Sequence, residues 1–181
     1  MNAITFKEVF PLIRNNKVWL GESIHSGDRE FGIPDNYPIT AAGWRIDEKG
    51  RKFIRVKGVR WFTNLDHGRR HQPLELMTME DNLKYSKHKD IKEKNVYSQY
   101  DNYDAIEIPY SDAIPSDYNG VMGVPISFLD KYCPEQFEIL NANDFRRDDT
   151  VPIKPHGLIK DKDGAIGGKP TYARILIRKK Q

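Results

Sequence analysis

An aromatic, apolar run that changes abruptly into a dense polar segment is the feature of this sequence that most constrains its fold. Residues 59–64 (VRWFTN) have the composition of a β-strand. The residues that follow, 65–73 (LDHGRRHQP), combine an acid, two imidazoles and two guanidiniums. Polar side chains at the end of a strand are a common setting for functional sites. The segment therefore predicts either a functional site or a network of buried polar side chains.

The composition limits the class of protein. The chain has 181 residues, enough for one domain with a sizeable core or for part of a larger one. The net charge of +3 permits a phosphate-bearing partner without requiring one. The single cysteine, Cys133, excludes an internal disulfide and favours a reducing compartment. No apolar run approaches about 20 residues and no signal sequence is evident, so we expect no membrane partner and a cytoplasmic location.

The first half of the chain predicts one helix and several strands. Thr5 is placed to cap a helix that ends at Asn15 and Asn16; the alternative is that Pro11 splits this segment into a short helix and a turn. A short strand is expected at 17–21 and a long loop at 22–40. Residues 44–46 and 53–56 flank a turn and predict a hairpin.

The second half alternates polar and apolar segments. Tyrosines and lysines interleave in 79–103, a pattern typical of a base-stacking surface but more often of a solvated one, which is the reading we prefer. Strands are expected at 105–108, in the apolar start of 120–140 and at 136–140, with a short helix at 128–132. Residues 157–160 and 171–178 predict a C-terminal hairpin. These elements indicate an α+β fold with a mixed or antiparallel sheet.

Two catalytic hypotheses rest on a few side chains each. His67 and His71 are four residues apart and would share one face of a helix, so that with Asp66 or His25 completing the site they could serve a metal-dependent hydrolase. Gly68 and the neighbouring arginines argue against that site. A nucleophilic role for Cys133 is disfavoured, because free cysteines are usually inert core residues.

A nucleic-acid hypothesis accounts for more of the segment. Arg69 and Arg70 could grip phosphates or read guanine, while Asn64 or Gln72 could pair with an adenine edge. The structural alternative is an ion-pair cluster of Asp66 with the arginines. The candidate DNA-binding residues are Arg60, Asn64, Asp66, His67, Arg69, Arg70, His71 and Gln72.

Five ordered blocks carry a family resemblance that reaches from the first residues to the last. They are NAITFKEVFPLIRNNKVWLG (2–21), VRWFTNLDHGRRHQPL (59–74), YDNYDAIEI (100–108), GVMGVPISFLDKYCPEQFEIL (120–140) and YARILIRKK (172–180). In this order they resemble the C-terminal half of EcoRI-type adenine-specific DNA methyltransferases. Five ordered blocks are far more specific than a short motif.

The resemblance implies a partial Rossmann-like methyltransferase fold that contains only the last strands of the sheet. Residues 1–74 would form that part, with 17–21 and 59–64 as its final two, antiparallel strands and a long loop or hairpin inserted between them. Residues 75–181 would form a family-specific α+β region for DNA recognition, packed with the first part as one unit. The implied partner is double-stranded DNA.

The departures from the family are equally informative. The family uses S-adenosylmethionine, but this sequence has no Pro-Pro dipeptide, hence no Asn-Pro-Pro-Phe motif, and no Phe-x-Gly-x-Gly-like loop. We therefore expect this chain alone to bind no cofactor, to supply no catalytic residue and to be inactive. The exposed strand edges would be covered by the missing N-terminal methyltransferase half or by a second copy. The alternative is a stand-alone DNA-binding module without enzymatic activity.

Overall fold

A computed structural model of the chain describes residues 3–22, 28–38, 43–93, 96–160 and 162–181. The chain divides into two compact units. Unit 1 comprises Met1–Trp19 and Asn64–Gln181, and unit 2 comprises Leu20–Thr63. Among the residues so described, no helix is both long and apolar enough to cross a membrane.

The N-terminal segment is a short helix preceded by a single 3-10 turn. The 3-10 turn spans Ala3–Thr5, and helix α1 spans Phe10–Arg14. The prediction that Thr5 caps one continuous helix is wrong, because Pro11 lacks an N–H and is tolerated only in the first turn of a helix. The predicted end is confirmed, since Asn15 is the C-cap and Asn16 follows with a φ of 52°. Strand β1 follows at Trp19–Leu20.

Unit 2 contains a three-stranded antiparallel sheet. Its strands are β2 (Arg29–Ile33), β3 (Trp44–Ile46) and β4 (Lys52–Val56), in the order β2-β4-β3. The predicted hairpin of β3 and β4 is confirmed. Its turn is fixed by Asp47, whose Oδ1 accepts the amides of Lys49 and Arg51 at 3.0 and 2.9 Å.

Strand β2 corrects the expectation of a loop over 22–40. Phe31 and Ile33 are the only alternating apolar residues of the strand, too few to predict it. The pairing partner β4 supplies the hydrogen bonds that hold it. Residues 23–27, 39 and 40 of the predicted loop lie outside the described ranges. The last strand here, β5 (Phe62–Thr63), pairs with β1 and is shorter than the predicted 59–64.

Unit 1 is built around a four-stranded mixed sheet. Its strands are β6 (Ile106–Glu107), β7 (Met122–Pro125), β8 (Phe137–Ile139) and, after a small hairpin of β9 (Ala165–Ile166) and β10 (Lys169–Pro170), β11 (Arg174–Lys179). The order is β6-β7-β11-β8, with β6 parallel to β7 and the other pairs antiparallel. The predicted strands at 105–108, in 120–125 and at 136–140 are confirmed, and a 3-10 helix at Ile126–Lys131 occupies the place of the predicted short helix.

The predicted C-terminal hairpin is confirmed in part. Ile159 and Arg174 form an antiparallel bridge, and the Lys162 amide donates to the Thr171 carbonyl oxygen at 3.0 Å. The longer pairings of β11 are with β7 and β8, where its apolar side chains are fully buried. Burial between two neighbours outweighs a local hairpin, since it removes more apolar surface from water.

The tyrosine-rich segment contributes to the core rather than to a solvated surface. Two short helices occupy its first half, α2 (Met79–Tyr85) and α3 (Lys89–Lys92). Tyr85 is exposed as expected, but Tyr97, Tyr100 and Tyr103 are buried. The expectation of a solvated surface is therefore wrong for these three side chains. Each tyrosine has a large apolar ring and a single hydroxyl group, so that burial in the core is favourable.

A buried ion pair links two strands of this sheet. The Arg174 guanidinium on β11 bonds Glu107 on β6, with Nη2 2.6 Å and Nε 2.9 Å from Oε1, and both side chains are almost fully buried. The Tyr100 hydroxyl donates to the other oxygen of Glu107. Burial, and then the charge of Glu107, raises the pKa of Tyr100. The carboxylate is thus paired on both oxygens, as a buried charge requires.

Candidate functional site

The polar segment 64–72 folds as a loop closed by one short 3-10 helix, Gly68–His71. Its hydrogen bonds run from the Arg70 amide to the His67 carbonyl oxygen (3.1 Å) and from the Gln72 amide to the Arg69 carbonyl oxygen (3.3 Å). His67 precedes the turn with extended backbone angles of −153° and 151°. The loop follows β5, so its position at a strand end is as predicted.

Arg70 is held inside the loop. Its guanidinium lies 3.7 Å from the centre of the Trp19 ring, and Nη2 donates to Asn16 Oδ1 at 3.2 Å. Asp66 is 3.6 Å from Nη1, and the Arg70 side chain is only 12% exposed. Trp19 also donates its indole N–H to the Leu65 carbonyl oxygen at 3.0 Å. Trp19 and Arg70 therefore fix both ends of the loop by stacking and hydrogen bonding.

His71 is clamped between two carboxylates. Its Nδ1 is 2.8 Å from Glu135 Oε1, and its Nε2 is 2.8 Å from Asp66 Oδ1. A carboxylate accepts but does not donate, so this arrangement favours the imidazolium with both nitrogens protonated. The hydrogen bonds with Asp66 and then Glu135 raise the pKa of His71, and the bond from His71 lowers the pKa of Asp66.

Residues 133–136 hold the loop and the segment after it through hydrogen bonds. The Gln136 side chain makes two of these bonds with the Leu74 backbone: its amide oxygen accepts from the Leu74 N–H at 2.8 Å, and its amide nitrogen donates to the Leu74 carbonyl oxygen at 2.9 Å. The Cys133 thiol donates to Glu135 at 3.2 Å. Burial raises the pKa of this thiol, which fits an inert core cysteine.

Arg69 differs from its neighbour, because its side chain is exposed. With Gln72 it lines an open cavity of about 410 Å³ in unit 1. The other lining residues are Pro73, Leu74, Glu75, Ser111, Asp112, Asp130 and Lys131. Arg69 is the arginine of this loop that is accessible to a ligand from solvent.

The structure thus sorts the predicted candidates. Asp66, Arg70 and His71 meet in one bonded cluster, in which the pair of Asp66 with Arg70 is what the ion-pair alternative expects and His71 is an addition. Arg69 and Gln72 lie at the cavity. The remaining candidates are an exposed Asn64, a half-buried His67, and Arg60, which is half-buried in unit 2.

Sequence reasoning missed the residues that hold the loop in place. They are Asn16, Trp19, Glu135 and Gln136. Each lies in one of the family-like blocks, which is the one sequence signal that marks them. Their separation from the loop, more than 40 residues for each contact, hides the pairing itself.

The metal-dependent hydrolase loses its geometric basis. His67 precedes the turn in extended conformation, so the two histidines do not share a helix face. Both ring nitrogens of His71 already bond carboxylates, which leaves none to coordinate a cation. Across the described part of the chain, no group of three or more His, Cys, Asp or Glu side chains could hold a metal ion.

Comparison with known proteins agrees with the resemblance seen in the sequence. The family described as adenine-specific methyltransferase EcoRI matches residues 1–180. The chain is 41% identical over 181 residues to the type II methyltransferase M.EcoRI of Escherichia coli, covering all of this chain and 48% of that protein. No solved structure matches it.

Two mycoplasma proteins are similar over the same length. The chain is 33% identical to the type II methyltransferase M.MgeORF184P of Mycoplasma genitalium and 30% identical to M.MpnI of Mycoplasma pneumoniae. Each match covers 99% of this chain and 55% or 54% of the relative, so the chain spans about half the length of these curated relatives. The class of protein is therefore that of the type II methyltransferases. The chain belongs to the EcoRI family of adenine-specific methyltransferases.

The cofactor that this family implies, S-adenosylmethionine, does not fit the cavity beside Arg69. Pockets that hold such ligands are lined mainly by apolar and aromatic side chains. Only Pro73 and Leu74 are apolar here, none of the lining side chains is aromatic, and three are acids. We therefore assign no step of methyl transfer to this cavity.

Proposed function

We propose that these 181 residues are the DNA-recognition portion of an adenine-specific DNA methyltransferase that modifies the N6 amino group in a restriction-modification system. The exposed Arg69 makes the principal contact with a phosphate of double-stranded DNA. The observation that carries this proposal is that two adjacent arginines have different surroundings. Arg70 is stacked on Trp19 and fixes the loop, while Arg69 is left accessible on a turn that the carboxylates around His71 hold rigid.

The other candidates follow from their positions. Asn64 and Gln72 are exposed, Gln72 lines the same cavity as Arg69, and both supply amide groups able to pair with a base edge. Asp66, Arg70 and His71 position the loop rather than touch DNA. Arg60 and His67 remain secondary candidates.

Salt dependence tests the phosphate contact. In Arg69→Ala, affinity for duplex DNA should fall for every sequence, and the slope of log K against log salt should decrease by about one unit. A selective loss of roughly 1 to 3 kcal/mol on one sequence would instead mean that Arg69 reads a base. Titrations of wild type and variant on several duplexes between about 50 and 200 mM salt separate the two outcomes.

Arg178→Ala is the matched control. It removes the same charge from a half-buried arginine of unit 1 that pairs with Glu138 on the sheet. Its effect on duplex affinity should be small. An Arg69→Ala variant that binds duplex DNA as the control does would contradict the proposed contact.

The catalytic chemistry is proposed to reside outside these residues. Support comes from the lack of the Asn-Pro-Pro-Phe motif in the sequence and from the polar lining of the cavity. Calorimetry of the 181-residue chain should detect no micromolar binding of S-adenosylmethionine. Such binding, or methyl transfer by this chain, would refute the proposal.

The placement in the family fold is also a proposal. Residues 1–74 would belong to the methyltransferase sheet as its last strands, and 75–181 to the recognition region. The pairing of β1 with β5 supports that placement, since these segments are the two family-like final strands. A catalytic half or a second copy would cover the free edges. A stand-alone DNA-binding module would bind duplex DNA in the same way, without any catalytic partner.

A further inference from the structure

The three-stranded sheet of unit 2 has an exposed face with an aromatic row across it. Phe31 on β2 and Trp44 on β3 both lie opposite Ile54 on the central strand β4. Directly opposed residues of antiparallel strands share a face, so the three side chains form one row. Trp44 is 47% exposed and Phe31 36% exposed. Aromatic surface of this extent is uncommon on a sheet face that water alone would cover.

The face that carries the aromatic row has cations but no carboxylate, whereas the opposite face carries Glu30 together with Arg45 and Arg55. The register places Arg29 opposite Val56 on one side of the aromatic row, and Lys52 between Ile33 and Ile46 on the other. The platform, as we name this face, comprises Arg29, Phe31, Ile33, Trp44, Ile46, Lys52, Ile54 and Val56. These eight residues include two cations and no carboxylate. The strand carboxylate Glu30 lies on the opposite face, bound to Arg45 at 2.6 Å.

Strand geometry sets the spacing of these groups. Two strand separations place the Phe31 and Trp44 backbones about 10 Å apart. Two residues along a strand are about 7 Å, so the Arg29 and Lys52 rows lie about 7 Å on either side of the aromatic row. Two stacking surfaces therefore lie between two positive charges, within the reach of a few nucleotides.

The position of Lys52 on the central strand, between Ile33 and Ile46, decides what kind of partner suits the platform. Its ammonium donates to the Asp35 carbonyl oxygen. The core of a protein–protein interface is depleted in charged residues, because burying an ammonium is costly. A partner with flat apolar rings and a negative backbone satisfies the aromatic row and both cations together.

We propose that the platform binds unpaired nucleotides of DNA. Bases stack on Trp44 and Phe31, and Arg29 and Lys52 neutralise the adjoining phosphates. Stacking tolerates any base, since each base has a π-face, so this surface holds displaced strands without reading their sequence. This site goes beyond the proposed duplex contact at Arg69 and does not depend on it.

Binding of a labelled 12-nucleotide single strand to the full chain tests the proposal. Trp44→Ala and Phe31→Ala should each weaken this binding by about tenfold. Duplex affinity should change little in either variant. Trp44→Phe should retain most of the single-strand affinity, whereas Trp44→Leu, which keeps the apolar area but removes the π-face, should lose it. Arg29→Ala should reduce the salt slope on single strands by about 0.7.

Tyr37→Ala is the matched control, because Tyr37 is 57% exposed in the same unit but lies outside the three strands. It should bind the single strand like the wild type. Circular dichroism confirms that each variant is folded. Equal binding by Trp44→Leu and Trp44→Phe, or no measurable binding of single strands by the wild type, overturns the proposal. Self-association that Trp44→Ala abolishes, with unchanged single-strand binding, assigns the platform to a second copy and also overturns it.

Discussion

Two adjacent arginines of one short turn illustrate how burial, rather than residue type, assigns a role. Arg69 and Arg70 are equivalent in the sequence, and both suit a phosphate. The Trp19 ring and the Asn16 amide oxygen surround Arg70 and leave only Arg69 exposed. The two arginines differ in role because Arg70 contacts Asn16 and Trp19, which lie more than 50 residues before it in the chain. No local sequence pattern reveals these contacts.

Replacement of Arg70 should therefore affect stability. Arg70→Ala removes the guanidinium stacked on Trp19, and we expect a loss of about 1 to 2 kcal/mol in the free energy of unfolding. Arg70→Lys should recover little of it, because an ammonium has no planar face to stack. Urea denaturation of both variants measures these losses. If the variants are as stable as the wild type but show a reduced salt slope for duplex DNA, Arg70 contacts a phosphate and does not stabilise the loop.

The clamp on His71 should depend on pH. Because its folded pKa is raised, its contribution to stability is fully present below its ordinary value near 6.5 and is lost as the pH rises through the folded value. The stability difference between wild type and His71→Gln should therefore be larger at pH 6 than at pH 9. Denaturation curves at the two values measure it.

Glu135 sets the lower limit of that window. Burial acts to raise its pKa, but the hydrogen bonds from Cys133 and His71 outweigh burial, and the pKa is lowered below its ordinary value near 4.5. Its contribution is present above that value and is lost as the pH falls through the folded pKa. A difference between wild type and His71→Gln that does not change with pH would mean that the imidazole is not charged in the clamp.

At the scale of elements, the sequence predicts strands better than their partners. Strands β7 and β8 and the hairpin of β3 and β4 follow from continuous or alternating apolar runs. The neighbours of β11 could not be predicted, since its pairing with β7 and β8 depends on contacts 38 to 55 residues away. The three buried tyrosines were missed because polar residues surround them in sequence.

The sequence predicted a polar cluster at the end of β5, but not all the residues that form it. Both expectations from the sequence, a site and a polar network, describe parts of the same loop. The pair of Asp66 with Arg70 is what the ion-pair alternative anticipates, whereas the bond of Asp66 with His71 was not expected. Its second carboxylate, Glu135, is 64 residues from His71 and could be found only in three dimensions.

The buried ion pair between β6 and β11 should be essential to the unit 1 sheet. Glu107→Gln leaves the Arg174 guanidinium without a charged partner in the interior, and we expect a loss of about 3 to 5 kcal/mol. The double replacement Glu107→Leu with Arg174→Met should cost much less than the sum of the single changes. Guanidinium denaturation of the three variants checks this. Additive losses would show that the two groups act independently.

At the scale of the whole molecule, the two units differ in how many buried apolar side chains they contain. In the described part of unit 2, Leu20 is the one buried apolar side chain, whereas most of β7 and the centre of β11 in unit 1 are buried. Local opening costs little where few apolar contacts are lost. Stability should therefore be unevenly distributed along the chain.

Hydrogen exchange measures that distribution. Amides of β2, β3 and β4 should exchange at least about 100-fold faster than those of β7 and β11. Addition of the 12-nucleotide strand should slow exchange in the platform, whereas a duplex should slow it near Arg69. Uniform protection across both units in the free protein would contradict this order of stability.

The pairing of β1 with β5 brings the entry and exit of unit 2 together. A segment whose two ends already meet can be lengthened, shortened or exchanged with little cost in loop closure to the chain on either side. In such a segment the length and sequence can change while the rest of the chain keeps its core. We expect relatives to differ most in length and composition between these two strands.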